Sequence, residues 1–160
     1  MAKANLKAIQ EEIDSGYITV RKHPEADLYI YNYTAKTQYS GHWNEVTERC
    51  RGLILDSDGN VVSRPFRKFF NLEEFIQSGG KLPSLSYVAT EKLDGSLGIS
   101  YWLDGKPYIA SRGSFDSDQA DWANAILEAM DTSKWNSYWT YLFELIVPEN
   151  RIVIDYGNRR

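Results

Sequence analysis

The chain has 160 residues, 42% hydrophobic and 25% charged, the make-up of one globular domain with a substantial core. Its formal net charge of −4 argues against a protein that coats nucleic acid without specificity, but leaves room for a local basic groove. No apolar run approaches the roughly 18 residues of a membrane span. The opening MAKANLKAIQEEI is too polar and acidic for a signal or transit peptide. The single cysteine, Cys50, excludes an internal disulfide, so an intracellular, cytoplasmic location is expected.

In chain order, residues 5–15 read as a helix with Leu6, Ile9 and Ile13 on one face and Gly16 as its stop. Two strands are expected over 17–22 and 28–33, rich in β-branched and aromatic residues and separated by Pro24. From Arg51 to Phe66, apolar arms flank a Ser57-Asp58-Gly59-Asn60 turn, which is a hairpin signal. A short helix is expected over 71–77, with Asn71 as N-cap, Glu73 and Glu74 in its first turn and Gly79 past its end.

A second β block is expected from Tyr87 to Arg112, broken by a turn at Asp104-Gly105. Asp116 and Gln119 have capping-box-like spacing before a core stripe of Ala123, Ile126, Leu127 and Met130. Strands over 141–147 and 151–156 close the chain. With no repeat, linker or low-complexity tract, the reading is one α+β domain of antiparallel sheets with flanking helices, spanning 1–160. The aromatic content of 14% fits a well-filled, β-rich core. His23 and His42 have no metal-ligand spacing to Cys50 or to each other, and a structural role is expected for His42.

The segment richest in chemistry is Glu91-Lys92-Leu93-Asp94-Gly95-Ser96. Lys92 ends the run VATEK, read as an apolar strand, and a glycine-containing turn follows. A lysine held there is expected to be partly desolvated, which frees its amine as a nucleophile. Gly95 permits a tight turn and a close approach of backbone N–H groups to a phosphate. Ser96 adds a hydroxyl. Asp94 either orients or helps deprotonate the lysine, or shapes the turn. Alone, such a Lys-x-Asp-Gly string is weak, and a surface lysine before a turn is the plainer reading.

In context, the string resembles the nucleophile motif of the covalent nucleotidyltransferases, which comprise ATP-dependent DNA and RNA ligases and mRNA capping enzymes. The chain most resembles the RNA ligases of the bacteriophage RNA ligase 1 type. The stretch ERCRGLILDSDGNVVSRPFRKFFN carries the most specific likeness and separates this branch from DNA ligases and capping enzymes. Ser111-Arg112-Gly113-Ser114 is similar to the family's motif Ia, and Phe143-Glu144-Leu145 to its motif III. VPENRIVIDYG is similar to the segment that follows motif III.

The resemblance implies a ligase-type, ATP-grasp-like nucleotidyltransferase fold with Lys92 as the catalytic nucleophile. It implies that Arg51, Lys68 and Arg112 meet ATP phosphates, with Arg112 able to reach the ribose, and that Phe70 lies nearby or in the core. Glu144 is expected to accept hydrogen bonds from the ribose hydroxyls. An acid inside YLFELIV is expected to be buried and to need a partner, either that sugar, a metal-bound water or a nearby Arg or Lys. Glu91 is expected to help read adenine through its side chain or backbone, and Tyr156 is expected either to face adenine or to fill core. Mg or Mn is the expected metal, with ligands unknown. The implied partner is RNA with 5′-phosphate and 3′-hydroxyl ends, sealed through a lysyl-AMP intermediate.

The family's motif IV, with its metal-site glutamate, and motif V, with two lysines, are not found before Arg160. The expectation is therefore a C-terminally incomplete domain. The alternative is a catalytically incomplete nucleotide- or RNA-binding fragment of such a ligase.

Overall fold

A computed structural model describes residues 2–146. The strand expected over 151–156 and Tyr156 lie outside these residues.

The chain begins with helix α1, Leu6–Asp14. Asn5 caps it by accepting from the Ala8 N–H, and Gly16 ends it in the left-handed region at φ 76°. Strands β1, Ile18–Lys22, and β2, Leu28–Tyr33, then form an antiparallel pair. Two short helices follow that the periodicity reading does not anticipate: α2, Ala35–Ser40, and α3, Glu45–Arg49. Both are set by their caps. Thr34 accepts from the Thr37 N–H, and Asn44 with Thr47 forms a capping box. His42 takes the structural role expected of it, stacked on Tyr17 at 3.8 Å and bonded to Glu12 at 3.0 Å.

The expected hairpin is present as β3, Arg51–Asp56, and β4, Val61–Ser63. Among the described residues the first sheet runs β1-β2-β3-β4, all antiparallel. Helix α4, Leu72–Gln77, follows with Asn71 at the N-cap position, but the Asn71 side chain makes no cap hydrogen bond.

The second sheet departs from expectation. Strand β5 is Ser96–Leu103, and residues 81–94 form no strand, although Tyr87 and Val88 belong to strand-favouring types. Strand propensity is realised only against a partner, and this segment has none: Tyr87 and Val88 are exposed. Lys92 therefore lies on an exposed irregular segment before β5, not at a strand end. Strand β6, Lys106–Ser111, pairs with one side of β5, and β7, Leu142–Leu145, pairs with the other.

Helix α5, Asp118–Leu127, lies between β6 and β7 in the chain. Its cap is Ser117, which accepts from the Ala120 N–H. Asp116, the cap expected from the spacing, instead accepts from the Ser114 hydroxyl at 2.6 Å. Of the predicted stripe, Ala123 and Leu127 are buried against Ile109 and Leu145. Ile126 and Met130 are exposed, because the buried face of α5 runs through Ala120, Ala123 and Leu127. Asn124 on α5 clamps the edge strand β6. Its amide accepts from the Ile109 N–H and donates to the Ile109 carbonyl, both at 2.8 Å. The outward backbone groups of an edge residue are thereby satisfied.

The core follows the layers. Leu28, Ile30 and Ile54 of the first sheet meet Ile99, Tyr101 and Ala110 of the second, with Phe115 beside them. The other face of the first sheet packs on α1 through Ile9, Ile18, Tyr31, Leu53 and Leu55. The order is thus helix, sheet, sheet, helix, an α+β arrangement of antiparallel sheets with flanking helices. Among the described residues, no helix is long and apolar enough to cross a membrane.

Candidate active site

At one end of the two-sheet sandwich the first sheet, the segment before β5, the loop after β6 and strand β7 enclose a cleft of about 1050 Å³. Its wall includes Arg51, Glu91, Lys92, Gly95, Ser96, Arg112 and Glu144, seven of the residues singled out in the sequence. These positions are spread from Arg51 to Glu144, so their convergence is a product of the fold.

Arg51 reaches the cleft because of a β-bulge. Along β2 and β3 the pairs run Ile30↔Ile54 and Tyr31↔Leu53, and then Asn32 pairs with Arg51, leaving Gly52 as an extra residue. Side chains alternate along a strand, so without the bulge Arg51 would share the α1-facing side with Leu53. The bulge turns it to the side of Asn32 and Ile30, which faces the second sheet. Only glycine fits at the bulge. Gly52 has φ 88°, and a Cβ there would sit 2.2 Å from Ile99 Cδ1.

The Lys92 segment is fastened to β7. The Gly95 N–H donates to Glu144 Oε1 at 2.9 Å. Glycine is again required, here by close approach, since a Cβ at Gly95 would lie 2.5 Å from the Leu145 carbonyl oxygen. Glu144 is exposed on β7 rather than buried, because its side chain points into the open cleft while Leu145 takes the core position. Asp94 sits between the lining residues Leu93 and Gly95.

Lys68 and Phe70 stand next to the cleft wall rather than in it. The Lys68 ammonium lies 4.2 Å from the Phe70 ring centre and 5.4 Å from that of Trp43, and donates to the Phe69 carbonyl at 2.8 Å. Trp43 in turn packs edge-on against Tyr33 at 5.0 Å and Phe70 at 5.6 Å. Arg112 lies over the Tyr33 ring at 5.2 Å and donates to its hydroxyl at 3.2 Å, while Arg51 lies over Phe69 at 5.2 Å. Three cations are thus held on aromatic faces, which fix them without neutralising them. Trp43 and Tyr33 were not singled out in the sequence. Their role depends on contacts across the fold, and an isolated aromatic carries no such signal.

The electrostatics of this cluster are unfavourable as it stands. Burial, then the charge of Arg112, holds the Arg51 guanidinium below its ordinary pKa, with partial relief from Tyr33 and Glu144. Burial likewise lowers Lys68, opposed by Glu74 and reinforced by Arg51 and Arg112. Among the described residues, none of Arg51, Lys68, Lys92 and Arg112 has a carboxylate within ion-pair distance. Such a cluster is complementary to a polyanion. Asn32 Oδ1, cross-strand from Arg51, is also buried without a hydrogen-bond partner, the kind of unsatisfied atom that accompanies a site.

Among the described residues, no three His, Cys, Asp or Glu side chains converge as a metal cluster. The carboxylates of the cleft, Glu91 and Glu144, suit a cation held mainly by phosphate oxygens and water, the ordinary mode for Mg²⁺.

A family model described as RNA ligase matches residues 49–160, most of the chain. A protein of Autographa californica nuclear polyhedrosis virus, described as a bifunctional polynucleotide kinase/RNA ligase, is 31% identical over 91% of this chain and 24% of its own length. The RNA ligase of Rhodothermus phage RM378 is 27% identical over 81% of this chain and 39% of its own. RNA ligase 1 of bacteriophage TS2126 is 30% identical over 66% of this chain and 31% of its own. The chain therefore spans between about a quarter and two-fifths of the length of these relatives. Matched from Arg49 through the cleft-forming segments to Arg160, the chain belongs to the RNA ligase 1-like family of RNA ligases.

Proposed function

We propose that this chain is the nucleotidyltransferase part of an ATP-dependent RNA ligase, of the ligase-type, ATP-grasp-like fold class, and that Lys92 is its nucleophile. The observation that carries this reading is the shared cleft. It joins one lysine on an exposed approach segment to Arg51 and Arg112, with Lys68 beside them, and to the Glu144 carboxylate on the neighbouring strand β7. A triphosphate answers the uncompensated positive charge, and Glu144 offers its second oxygen to ribose hydroxyls. Glu91 lines the same cleft, which supports a part in reading the adenine edge, and Phe70 supports the Lys68 ammonium.

In the proposed first step the neutral Lys92 amine attacks the α-phosphorus of ATP. A P–N bond forms, the bond from the α-phosphorus to the bridging oxygen breaks, pyrophosphate leaves with that electron pair, and the amine proton passes to solvent or a nearby base. Arg51, Lys68 and Arg112 hold the phosphates in place while charge moves onto the leaving group. Asp94 orients the lysine or shapes its approach. Glu91 and Glu144 are the cleft carboxylates that would help hold a Mg²⁺ or Mn²⁺ ion, which would supply further charge neutralisation at the phosphates. In the second step an RNA 5′-phosphate oxygen attacks the same phosphorus, the P–N bond breaks and the lysine amine is regenerated with a proton. A 3′-hydroxyl then attacks the activated 5′-phosphate, and AMP leaves.

The exposed, irregular setting of Lys92 favours a second reading, a nucleotide- or RNA-binding unit without catalysis. Labelled ATP separates the two. Under the first reading, label at the α-position stays with the protein after denaturation and label at the γ-position does not. GTP gives no comparable adduct. Binding of ATP with no retained label supports the second reading.

A further inference from the structure

The cleft, at about 1050 Å³, stands at the upper end of the roughly 300 to 1,000 Å³ of small-molecule sites, and it carries a cation that the proposed nucleotide chemistry does not use. Its lining cations are Arg21, Arg51, Lys92 and Arg112. The proposed adenylylation engages the last three and leaves Arg21 without a task. Arg21 comes from β1, the far edge of the first sheet, where it pairs with Ile30 and so faces the same side as Ile30 and Asn32. Its strand is therefore separated from the strand of Arg51 by β2. The same cleft is lined by Ser117 and Gln119, the N-cap and a first-turn residue of α5.

We propose that Arg21, with Ser117 and Gln119, forms a subsite for the 5′-phosphate end of the RNA strand that receives AMP. This deepens the ligase reading above and rests on it. The second step requires the RNA phosphate to enter the cleft that holds the lysyl-AMP, from a direction the nucleotide phosphates do not occupy. Arg21 is exposed and can fork onto a terminal phosphate. Asp116 feels its charge, but is already bonded to the Ser114 hydroxyl and makes no ion pair with Arg21 among the described residues. Gln119 supplies an amide donor. The Ser117 hydroxyl, whose oxygen caps α5, keeps its own proton free to donate.

The same chemistry would also hold the departing pyrophosphate, so the test has two arms. Fluorescence anisotropy compares a short labelled RNA bearing a 5′-phosphate with the same strand bearing a 5′-hydroxyl, and intact mass follows AMP attachment from ATP. For the wild-type chain the phosphorylated strand binds more tightly. Arg21→Ala reduces that preference about tenfold, the size of one charge-assisted contact. Gln119→Ala reduces it by a smaller factor, and AMP attachment proceeds as in the wild type. Arg21 is exposed, so its replacement leaves the fold intact, which thermal unfolding checks. No wild-type preference for the phosphorylated strand, or an unchanged preference in Arg21→Ala, overturns the proposal. So does a loss of AMP attachment in Arg21→Ala with the RNA preference retained, which would assign the residue to ATP. A phosphate preference that depends on Arg21, in a chain that takes up no AMP, would support the subsite while rejecting adenylylation.

Discussion

Gly95 donates its backbone N–H to Glu144 Oε1 at 2.9 Å, tying the segment that carries Lys92 to the neighbouring strand β7. One contact thus links the two sequence blocks that resemble the nucleophile motif and motif III. It leaves the second carboxylate oxygen of Glu144 for another donor.

That tie sets a first prediction. Glu144→Ala removes the acceptor and costs about 0.5–1.5 kcal/mol at most, the net value of one hydrogen bond. AMP attachment falls much further, because the lysine segment loses its anchor. Glu144→Gln keeps an acceptor for Gly95 and retains more activity than Glu144→Ala. Equal activity in the two variants would show that the contact does not position the lysine.

Gly52→Ala is expected to be strongly destabilising. The new methyl meets Ile99 Cδ1 at 2.2 Å, and the backbone at φ 88° is strained for any residue with a Cβ. The cost is at least about 1–3 kcal/mol, measured by chemical unfolding. Adding Ile99→Val relieves the steric part and leaves the backbone part, so the double variant recovers only partially. Full stability in the single variant would contradict the bulge geometry.

How much of this was legible in the sequence varies with the range of the interaction. Helix α1, strand β2 and the β3–β4 hairpin were readable because periodicity and turn residues act locally. Helices α2 and α3 are six and five residues long, too short for a periodic signal, although Asn44 and Thr47 do spell a cap. The 87–93 run was misread because propensity alone cannot supply a pairing partner. For the site, the list of residues was readable from motif likeness, and seven of them do line one cleft. Their setting was not readable. The bulge that aims Arg51, the exposure of Lys92 and Glu144, and the aromatic supports Trp43 and Tyr33 all depend on distant contacts.

Acid is expected to weaken the fold through His23. The ring is buried between Tyr101 and Phe115, and burial lowers its pKa against the opposing influence of Glu25 and Asp116. Its Nδ1 accepts from the Glu25 N–H, so Nε2 carries the proton shared with the Tyr101 hydroxyl at 3.1 Å. The unfolded chain binds a proton near pH 6.5, and the folded chain does so only at lower pH. The stability contribution is therefore full above about pH 6.5 and is lost as pH falls from there through the folded pKa. Unfolding curves between pH 7 and 5 should show this decline, and His23→Gln should flatten it. An unchanged slope in that variant would place the titrating group elsewhere.

Asn124→Ala should cost about 1–3 kcal/mol, because it strands both backbone groups of Ile109 on the edge of the second sheet. Hydrogen exchange of the Ile109 amide reports the same loss locally, with faster exchange in the variant. Protection equal to that of the wild type would mean that water replaces the side chain without penalty.

The account stands on Lys92 as the acceptor of AMP. Incubating the chain with ATP and Mg²⁺ or Mn²⁺, followed by intact mass and peptide mapping, tests this most directly. The predicted result is one added AMP located on Lys92, absent from Lys92→Ala and sharply reduced in Arg51→Ala. An AMP adduct that persists in Lys92→Ala, or no adduct with either metal, would contradict it.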